Sequence, residues 1–424
     1  MTTRLSQALA DAAELAVRVP VPDDLWRRGR RSRRRRRAAA ALACLVLAAA
    51  VAWLPVRAGT APEPVGAGPE VLPSAVADPH LWQQTFVGDP NGPAKLVFTT
   101  GHSLNLETAV VLIGTDDSYR LIYLPPGGEP GSLSPDGRWL LRHDLLDLAT
   151  GETRGLERRL TGYLPAVWAA DSRTALGVVG GDGGTSYGPD GKEIPPPDEE
   201  VVLVDVATGA VRTLTTIPGN SRWWAAFAPD GRRVAVQAAD GGETSSLRIL
   251  DTATGTTLST VTLTTRQRLA GPAAWTPDGT QLLLAAGGCA WTDYCPEQTW
   301  RVQRLDVATG AVTDGTAGDR PGDPSLVAWR AGAPVIQQDR GAGLGCDMIV
   351  LTAAHAETLP LTVAGHGCAQ YARDLLEEGT VGGTAIEPSP WQAQWWVYVP
   401  ASMVLAGLVM LAWRLVRHRR RPTR

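Results

Sequence analysis

The chain has 424 residues, among them 46 glycines and 32 prolines, and its formal net charge is −3. So many turn-forming residues disfavour an all-helical protein. The small net charge conceals a segregation, because residues 1–37 hold eleven basic and four acidic side chains and residues 414–424 hold six basic and no acidic ones. The segment between them has 23 basic and 39 acidic residues and is therefore acidic.

The first segment, residues 1–37, begins with a short amphipathic helical pattern that ends at Pro20 and Pro22. Apolar side chains recur at helical spacing, at Leu5, Leu9, Ala12 and Ala16. This pattern indicates a short helix that lies on a membrane or in solvent. The alternative is a docking segment for a cytosolic partner.

An arginine run, from Arg27 to Arg37, comes directly before an apolar segment at 38–54 that contains no charge. Seventeen apolar residues are just long enough to cross the ~30 Å hydrocarbon core of a bilayer. A basic flank marks the cytoplasmic side, so this run predicts a membrane helix with residues 1–37 inside the cell, and not a nucleic-acid site. A cleaved signal peptide remains an alternative, with small residues at Ala50–Ala52 and Ala58–Ala61.

Residues 55–79 are rich in proline, glycine and alanine and predict an extended linker. Strand patterns begin at His80, and the predicted domain extends over residues 80–380. Its first blade is expected to lack the turn signature of the later ones, and one early strand is expected to pair with the last blade. The four strands predicted for the first blade are Leu81–Val87, Lys95–Thr99, Ala109–Ile113 and Tyr119–Leu124.

The clearest repeat unit is Phe227–Leu263, which contains two hairpins in succession. A Pro-Asp-Gly turn at 229–231 leads into an alternating strand, and an Asp-x-x-Thr-Gly turn at 251–255 joins the next two strands. Each four-stranded sheet of this kind has an apolar face that only a neighbouring sheet can cover, so the repeats are expected to close into a ring. Trp168, Phe227 and Trp275 precede the first turn, where a core-facing inner strand would place them.

Copies of the two turns recur along most of the chain. Successive aspartates of the second turn lie 58, 46 and 55 residues apart, which is a period typical of propeller blades. The repeated aspartates are predicted to accept hydrogen bonds from their own turns, and the glycines to supply positive φ. These structural turn residues are Asp136 with Gly137, Asp147 with Gly151, Asp205 with Gly209, Asp230 with Gly231, Asp251 with Gly255, Asp278 with Gly279, and Asp306 with Gly310.

The two turn signatures resemble those of the TolB-like, WD40-like β-propeller repeat family over roughly residues 130–340. The resemblance implies an all-β fold, a single β-propeller of four-stranded antiparallel sheets. Two apolar segments near the ends of the chain add the expectation that N- and C-terminal transmembrane helices flank it. The blade length favours six blades over seven. An insertion in the third blade, Val179–Glu200, predicts a protruding loop.

Chemistry-bearing motifs are scarce. Gly184–Gly188 matches G-x-S-x-G, but that motif requires a strand before the serine and a helix after it, and neither is predicted here. The six histidines show no metal-ligand spacing, and no phosphate- or dinucleotide-binding fingerprint occurs. We therefore expect no catalytic residues, no metal and no cofactor.

Four cysteines cluster late in the predicted external domain, which is typical of disulfides in an oxidising compartment. Three pairings are open, and proximity favours Cys289–Cys295 and Cys346–Cys368. A zinc site would require C-x-x-C spacing on both sides. Cys44 lies too close to the arginines for a lipoprotein signal and is interpreted as a buried apolar residue.

A short helical pattern at Tyr371–Gly379 precedes a second predicted linker at 381–392 and a second apolar segment at 393–413. Tryptophans line the start of this segment, and the basic tail 414–424 follows it. Both arginine clusters thus lie on the terminal side of their apolar segments. The expected location is the plasma membrane, with both termini cytoplasmic and the propeller extracytoplasmic.

We expect a non-enzymatic binding, sensing or scaffolding module, with the lipid bilayer and a protein or peptide at a propeller face as partners. The whole layout also resembles bacterial proteins associated with extracytoplasmic-function sigma factors, which implies a link to envelope-stress signalling. The segment 1–37 departs from that pattern because it lacks the zinc-binding H-x-x-x-C-x-x-C motif. The alternative function is a cell-wall glycan- or peptide-acting enzyme, or a lectin, that uses the propeller channel.

Overall fold

The structure is a computed structural model with two compact units, residues 64–395 and residues 1–63 together with 396–424. It describes residues 7, 70–87, 89–100, 108–124, 130–160, 166–180, 186–187, 193–194, 197–219, 221–239, 244–290, 299–315, 320–340, 345–352, 355–364, 366–389, 392, 394, 403–404, 407–412 and 414.

The larger unit is a β-propeller of six antiparallel sheets. From the inner to the outer strand, blade 1 consists of His366–Tyr371, Ala94–Thr100, Ala109–Gly114 and Tyr119–Tyr123. Blade 2 consists of Ser132–Leu133, Trp139–Leu141, Asp144–Asp147 and Thr153–Gly155, and blade 3 of Val167–Trp168, Thr174–Val179, Glu199–Asp205 and Val211–Ile217. Blade 4 consists of Arg222–Phe227, Arg233–Ala239, Thr244–Asp251 and Thr257–Thr264.

Blade 5 consists of Gln267–Leu269, Gln281–Gly287, Thr299–Asp306 and Val312–Asp314, with Arg320–Pro321 paired to its third strand. Blade 6 consists of Asp323–Arg330, Ala333–Asp339, Cys346–Leu351 and Ala356–Thr358. Six blades therefore form the ring, the number that the blade length favours. The insertion in blade 3 carries a hairpin of its own, Ser186–Tyr187 paired with Glu193–Ile194.

The hydrophobic core lies between the blades, as the one-sided pattern of each sheet requires. One cluster packs Leu176 and Val201 of blade 3 against Val234 of blade 4, and another packs Ala235 and Ile249 of blade 4 against neighbouring side chains of blade 5. Outer strands such as Thr153–Gly155 are exposed. Each blade is thus stabilised by its neighbours.

Ring closure differs from the expectation. The inner strand of blade 1 is His366–Tyr371, here called the closing strand, which comes from the far end of the domain and pairs with Ala94–Thr100. Leu81–Val87 forms no strand, although Thr85 bridges Leu121. The late strand completes the first blade, whereas the sequence pattern predicted that an early strand would complete the last one. Both arrangements pair the two ends of the repeat array and remove an open edge.

A second closure lies outside the blades. Val71–Pro73 pairs in parallel with Thr380–Gly383, and Ala75–Val76 pairs in parallel with Thr362–Val363. Val76 also bridges Ile386. Both ends of the domain therefore continue as paired strands within segments whose composition suggested linkers.

The ring has two unlike faces. Because consecutive strands are antiparallel, the turns between the first and second strands and between the third and fourth strands of each blade lie on one face, called here the turn face. The remaining connections lie on the opposite face, called the loop face. Helix α1 (Arg373–Glu377) follows the closing strand on the turn face.

The first predicted membrane segment, 38–54, lies outside the described residues. Within the second, residues 403–404 and 407–412 are helical. Among the described residues, none of the helices has the length and apolar character needed to span a bilayer. Both membrane segments stay predictions.

Candidate functional site

The seven repeated aspartates are hydrogen-bonded within their own turns. Each accepts a hydrogen bond from a backbone N–H two or three residues further on, at N···O distances of 2.8–3.1 Å. The paired glycines have φ between 67° and 78°, a backbone conformation that glycine adopts without strain. Hydrogen bonds from the hydroxyls and amides of Thr208, Thr254 and Thr309 hold the pKa of Asp205, Asp251 and Asp306 below the ordinary value. These carboxylates have a local structural task.

Asp147 is the buried member of this set, 5% exposed, and its Oδ2 lies 2.9 Å from Nη2 of Arg138. Burial alone would raise its pKa, but hydrogen bonds from Arg138 and Ala149 lower it below the ordinary value. A lowered folded pKa contributes stability in full above the unfolded pKa, and this contribution is lost as the pH falls through the folded pKa.

We therefore expect Asp147→Asn to lower the free energy of unfolding by about 1–2 kcal/mol at neutral pH. The difference from the wild type should shrink as the pH falls below about 4. Urea unfolding at several pH values measures it, with the more exposed Asp251→Asn as the matched control. An equal difference at pH 7 and pH 3 would contradict the electrostatic explanation.

The disulfide Cys346–Cys368 joins two blades. Cys346 begins the third strand of blade 6, Cys368 lies in the closing strand, and their Cα atoms are 5.1 Å apart. Asp339 lies close to both sulfurs, but the two sulfurs are bonded to each other, so these three residues do not form a metal site. Cys289 is also disulfide-bonded; Cys295 lies outside the described residues, so its pairing stays a prediction.

Tryptophans in the inner strands, or shortly after them, connect neighbouring blades by a repeated hydrogen bond. The indole N–H groups of Trp168, Trp275 and Trp329 donate to the carbonyls of Ser132, Ala226 and Ala273 at 3.1, 3.0 and 2.8 Å. In each case the acceptor lies in the preceding blade. The rings of Trp275 and Trp329, with Phe227, also line a cavity of about 390 Å³ at the turn face, called here the channel mouth.

Helix α1 lies beside the channel mouth and is fixed by backbone hydrogen bonds. The N–H of Asp374 donates to the carbonyl of Pro135 in blade 2 at 3.1 Å. Nη1 of Arg330 donates to the carbonyl of Leu376 at 2.9 Å, and Oε1 of Glu377 accepts the N–H of Trp329 at 3.2 Å. The helix is therefore held by blades 2 and 6. Two of its charged side chains, Arg373 and Glu377, line the mouth, whereas Asp374 is more exposed.

Arg373 lines both the channel mouth and a second, inner cavity of about 120 Å³. This inner cavity lies among the inner strands of blades 1, 2, 3 and 6. The Arg373 side chain is 16% exposed, and its Nε is 4.0 Å from Oε1 of Glu377. Its Nη2 is buried and has no hydrogen-bond partner among the described residues.

Burial governs the electrostatics of this cluster. It lowers the pKa of Arg373, with Glu377 opposing the shift, and it raises the pKa values of Asp374 and Glu377, with Arg373 opposing. A buried cation without a full set of acceptors is costly to the fold, so such groups are frequent at functional sites. The channel mouth and the inner cavity together form the candidate functional site.

The sequence analysis did not single out Arg373, Glu377 or Trp329. Trp329 was missed because blade 6 replaces the Pro-Asp-Gly turn by Ala331-Gly332, in which Ala331 itself has positive φ. A tryptophan three residues before a glycine was the available signal. Arg373 carried none, because only ring closure brings it into the channel. Ser186 and Tyr187 lie in the inserted hairpin and pair with Ile194 and Glu193, and the other three residues of the G-x-S-x-G match lie outside the described residues.

No protein-family model matches the chain, and no curated protein matches it. Solved structures do resemble it. Hydrazine synthase from Kuenenia stuttgartiensis is 16% identical, with 61% of this chain and 97% of that chain covered and a TM-score of 0.35. TolB from Acinetobacter baumannii is 15% identical, with 68% and 66% covered and a TM-score of 0.37.

An oligogalacturonate lyase in complex with manganese is 16% identical, with 66% of this chain and 77% of that chain covered and a TM-score of 0.43. Likeness at these levels carries no argument about activity. The class that fold and site define is a six-bladed β-propeller whose channel opens on the turn face, between aromatic side chains and a charged helix. TolB proteins are among its structural neighbours.

Proposed function

We propose that this protein is a non-enzymatic binding module that holds its partner at the channel mouth. The single observation that carries the proposal is the cluster there, with Trp275, Trp329 and the incompletely paired Arg373 around one opening. Aromatic side chains and arginine are the residues most enriched among those that dominate binding energy at interfaces. The seven turn aspartates, by contrast, already accept hydrogen bonds within their own turns.

We further propose that the propeller is extracytoplasmic and anchored in the plasma membrane at both ends. Support comes from the two apolar segments with arginines on their terminal sides, and from the disulfides, which persist in oxidising compartments. Leu81 and Trp82 are 44% and 39% exposed, and the carbonyl of Trp82 accepts the N–H of Gln394. This exposed apolar pair thus lies beside Gln394, at the start of the second apolar segment, which supports a membrane-facing position.

In this proposal residues 1–37 are the cytosolic part. A second partner would dock there and respond to binding at the propeller. The link to sigma-factor signalling rests on the overall layout alone. Deletion of residues 1–26 should abolish a signalling output and leave a purely structural role intact.

The topology predicts how engineered cysteines react in intact cells. Ala308→Cys, in an exposed turn of blade 5, should react with a membrane-impermeant maleimide, and Thr423→Cys in the basic tail should react only after permeabilisation. Mass-tagged maleimide and immunoblotting measure both. Labelling of Thr423→Cys alone in intact cells would overturn the orientation.

Crosslinking in intact membranes followed by mass spectrometry tests the binding role. The wild type should capture a specific partner, and Trp329→Ala should reduce the yield at least about tenfold, the size of effect expected at a central interface residue. Arg301→Gln, exposed on the loop face, is the matched control and should leave the yield unchanged. Turnover of a cell-wall glycan or peptide by the wild type, abolished by the mouth substitution, would instead establish the enzymatic alternative.

A further inference from the structure

Arg373 is the charged side chain among the residues that line the inner cavity. Nη2 of Arg373 is buried without a hydrogen-bond partner among the described residues. The nearest carboxylate, Glu377, is 4.0 Å from Nε, which is beyond hydrogen-bond distance. The guanidinium is planar and presents paired N–H groups that match a carboxylate in a bidentate manner.

Gln370 and Gln337 of the cavity wall are already paired. Gln370 donates to the carbonyl of Gly131 at 2.7 Å and accepts the N–H of Leu133 at 2.9 Å. Gln337 donates to the carbonyl of Ala369 at 2.6 Å. These bonds hold the cavity wall in place. Among the residues that line it, Arg373 is the charged one and therefore the one best suited to receive an anion, and Tyr371 lines the same wall.

The remaining wall is mostly apolar, with Leu133, Trp168, Val327 and Leu376 among its side chains. The cavity volume of about 120 Å³ compares with roughly 10–15 Å³ for one water on the same measure. The cavity is therefore large enough for a short aliphatic group of a few carbon atoms that carries one polar group.

Acidic side chains surround the approach to the cavity. Asp374 and Glu377 lie on helix α1 with Arg373, Glu378 lines the channel mouth, and Asp136 acts electrostatically on Asp374 from blade 2. Their field repels a dianion more strongly than a monoanion. A singly charged carboxylate is thus a better fit than a phosphate.

We propose that the inner cavity is a subsite for one carboxylate group carried on a small apolar body, which Arg373 receives through its free guanidinium N–H groups. The subsite deepens the proposed binding function, since it would hold the carboxylate end of whatever docks at the channel mouth. It also accounts for a buried arginine that the fold leaves without a full set of acceptors.

Calorimetric titration of the full-length protein in detergent with sodium butyrate tests the subsite. Saturable binding in the millimolar range is expected for so small a ligand, with butyramide and inorganic phosphate bound at least about tenfold more weakly. Arg373→Gln should weaken butyrate binding at least about tenfold, and Arg301→Gln on the loop face should not change it. Equal binding of butyrate and butyramide, or unchanged binding by Arg373→Gln, would overturn the proposal.

A stability measurement separates this role from a structural one. Replacement of both members of a buried pair of charges by uncharged side chains is commonly neutral or stabilising, so Arg373→Met combined with Glu377→Gln should not lower the thermal midpoint. A fall of more than about 5 °C would show that Arg373 supports the fold, and would overturn the proposal. Capture of a partner without butyrate binding would refute the subsite alone, whereas butyrate binding with no partner captured would refute the proposed function alone.

Discussion

Gly137→Ala should unfold the propeller at a much lower denaturant concentration than the wild type does. Gly137 has φ of 73° in the turn of blade 2, and a Cβ atom there would lie 2.1 Å from the carbonyl oxygen of Ala94 in blade 1. The same glycine accepts the N–H of Ala94 at 2.7 Å, so the two blades cannot separate without loss of that bond. We expect a loss of about 3 kcal/mol or more, from backbone strain and steric overlap together.

Gly231 supplies the matched control. It occupies the same position of the same turn in blade 4, with φ of 67°, and a Cβ atom there would meet no atom within 4 Å. Gly231→Ala should therefore lower the free energy of unfolding through backbone strain alone, by about 1–2 kcal/mol. Urea unfolding of both full-length variants, followed by circular dichroism, measures the difference. Equal losses would show that the contact between blades 1 and 2 does not restrict this turn.

The second large effect is expected at the Cys346–Cys368 disulfide. It closes a segment with a sequence separation of 22 and attaches the closing strand to blade 6. Among the strands that the structure describes, the closing strand pairs with Ala94–Thr100 alone, so its position in the ring depends on few hydrogen bonds. Replacement of both cysteines by serine should lower the free energy of unfolding by about 3 kcal/mol in the chain-entropy model.

Hydrogen exchange shows where in the propeller the loss of the Cys346–Cys368 disulfide lowers stability. The amides shared by the closing strand and Ala94–Thr100 should exchange faster in the double serine variant, while those of blade 4 should change little until global unfolding. Replacement of Cys289 and Cys295 is the control, because their predicted bridge is confined to blade 5. Unchanged protection of the closing strand would show that the strand pairing alone keeps the ring closed.

Much of the propeller follows from adjacent residues. The turn at Asp230-Gly231 and the turn at Asp251–Gly255 each specify their geometry within a few positions, and the alternation between them specifies which face is apolar. The inner-strand positions of Trp168 and Trp275 follow from the same pattern, and both side chains are buried. The disulfide between Cys346 and Cys368 could be inferred from proximity along the chain.

The closing strand, helix α1 and the inner cavity could not be found in this way. His366–Tyr371 pairs with a strand more than 260 residues earlier, and no local pattern states which end of an array supplies the missing strand. Arg373 belongs to a five-residue helix whose composition is ordinary for an exposed turn. Its burial and its incomplete pairing arise only when blades 2 and 6 meet around it.

The sequence by itself determined the repeat, the turn chemistry, the apolar faces that oblige blades to pack side by side, and the expectation of two charged membrane flanks. These features depend on turn preferences and on the two-residue period of strands, which are encoded in contiguous residues. Tertiary structure alone decided the partner of the closing strand, the convergence of Trp275 and Trp329 on one mouth, and the position of Arg373 between two cavities. Such positions depend on closure of the ring, which brings together residues that no local periodicity relates.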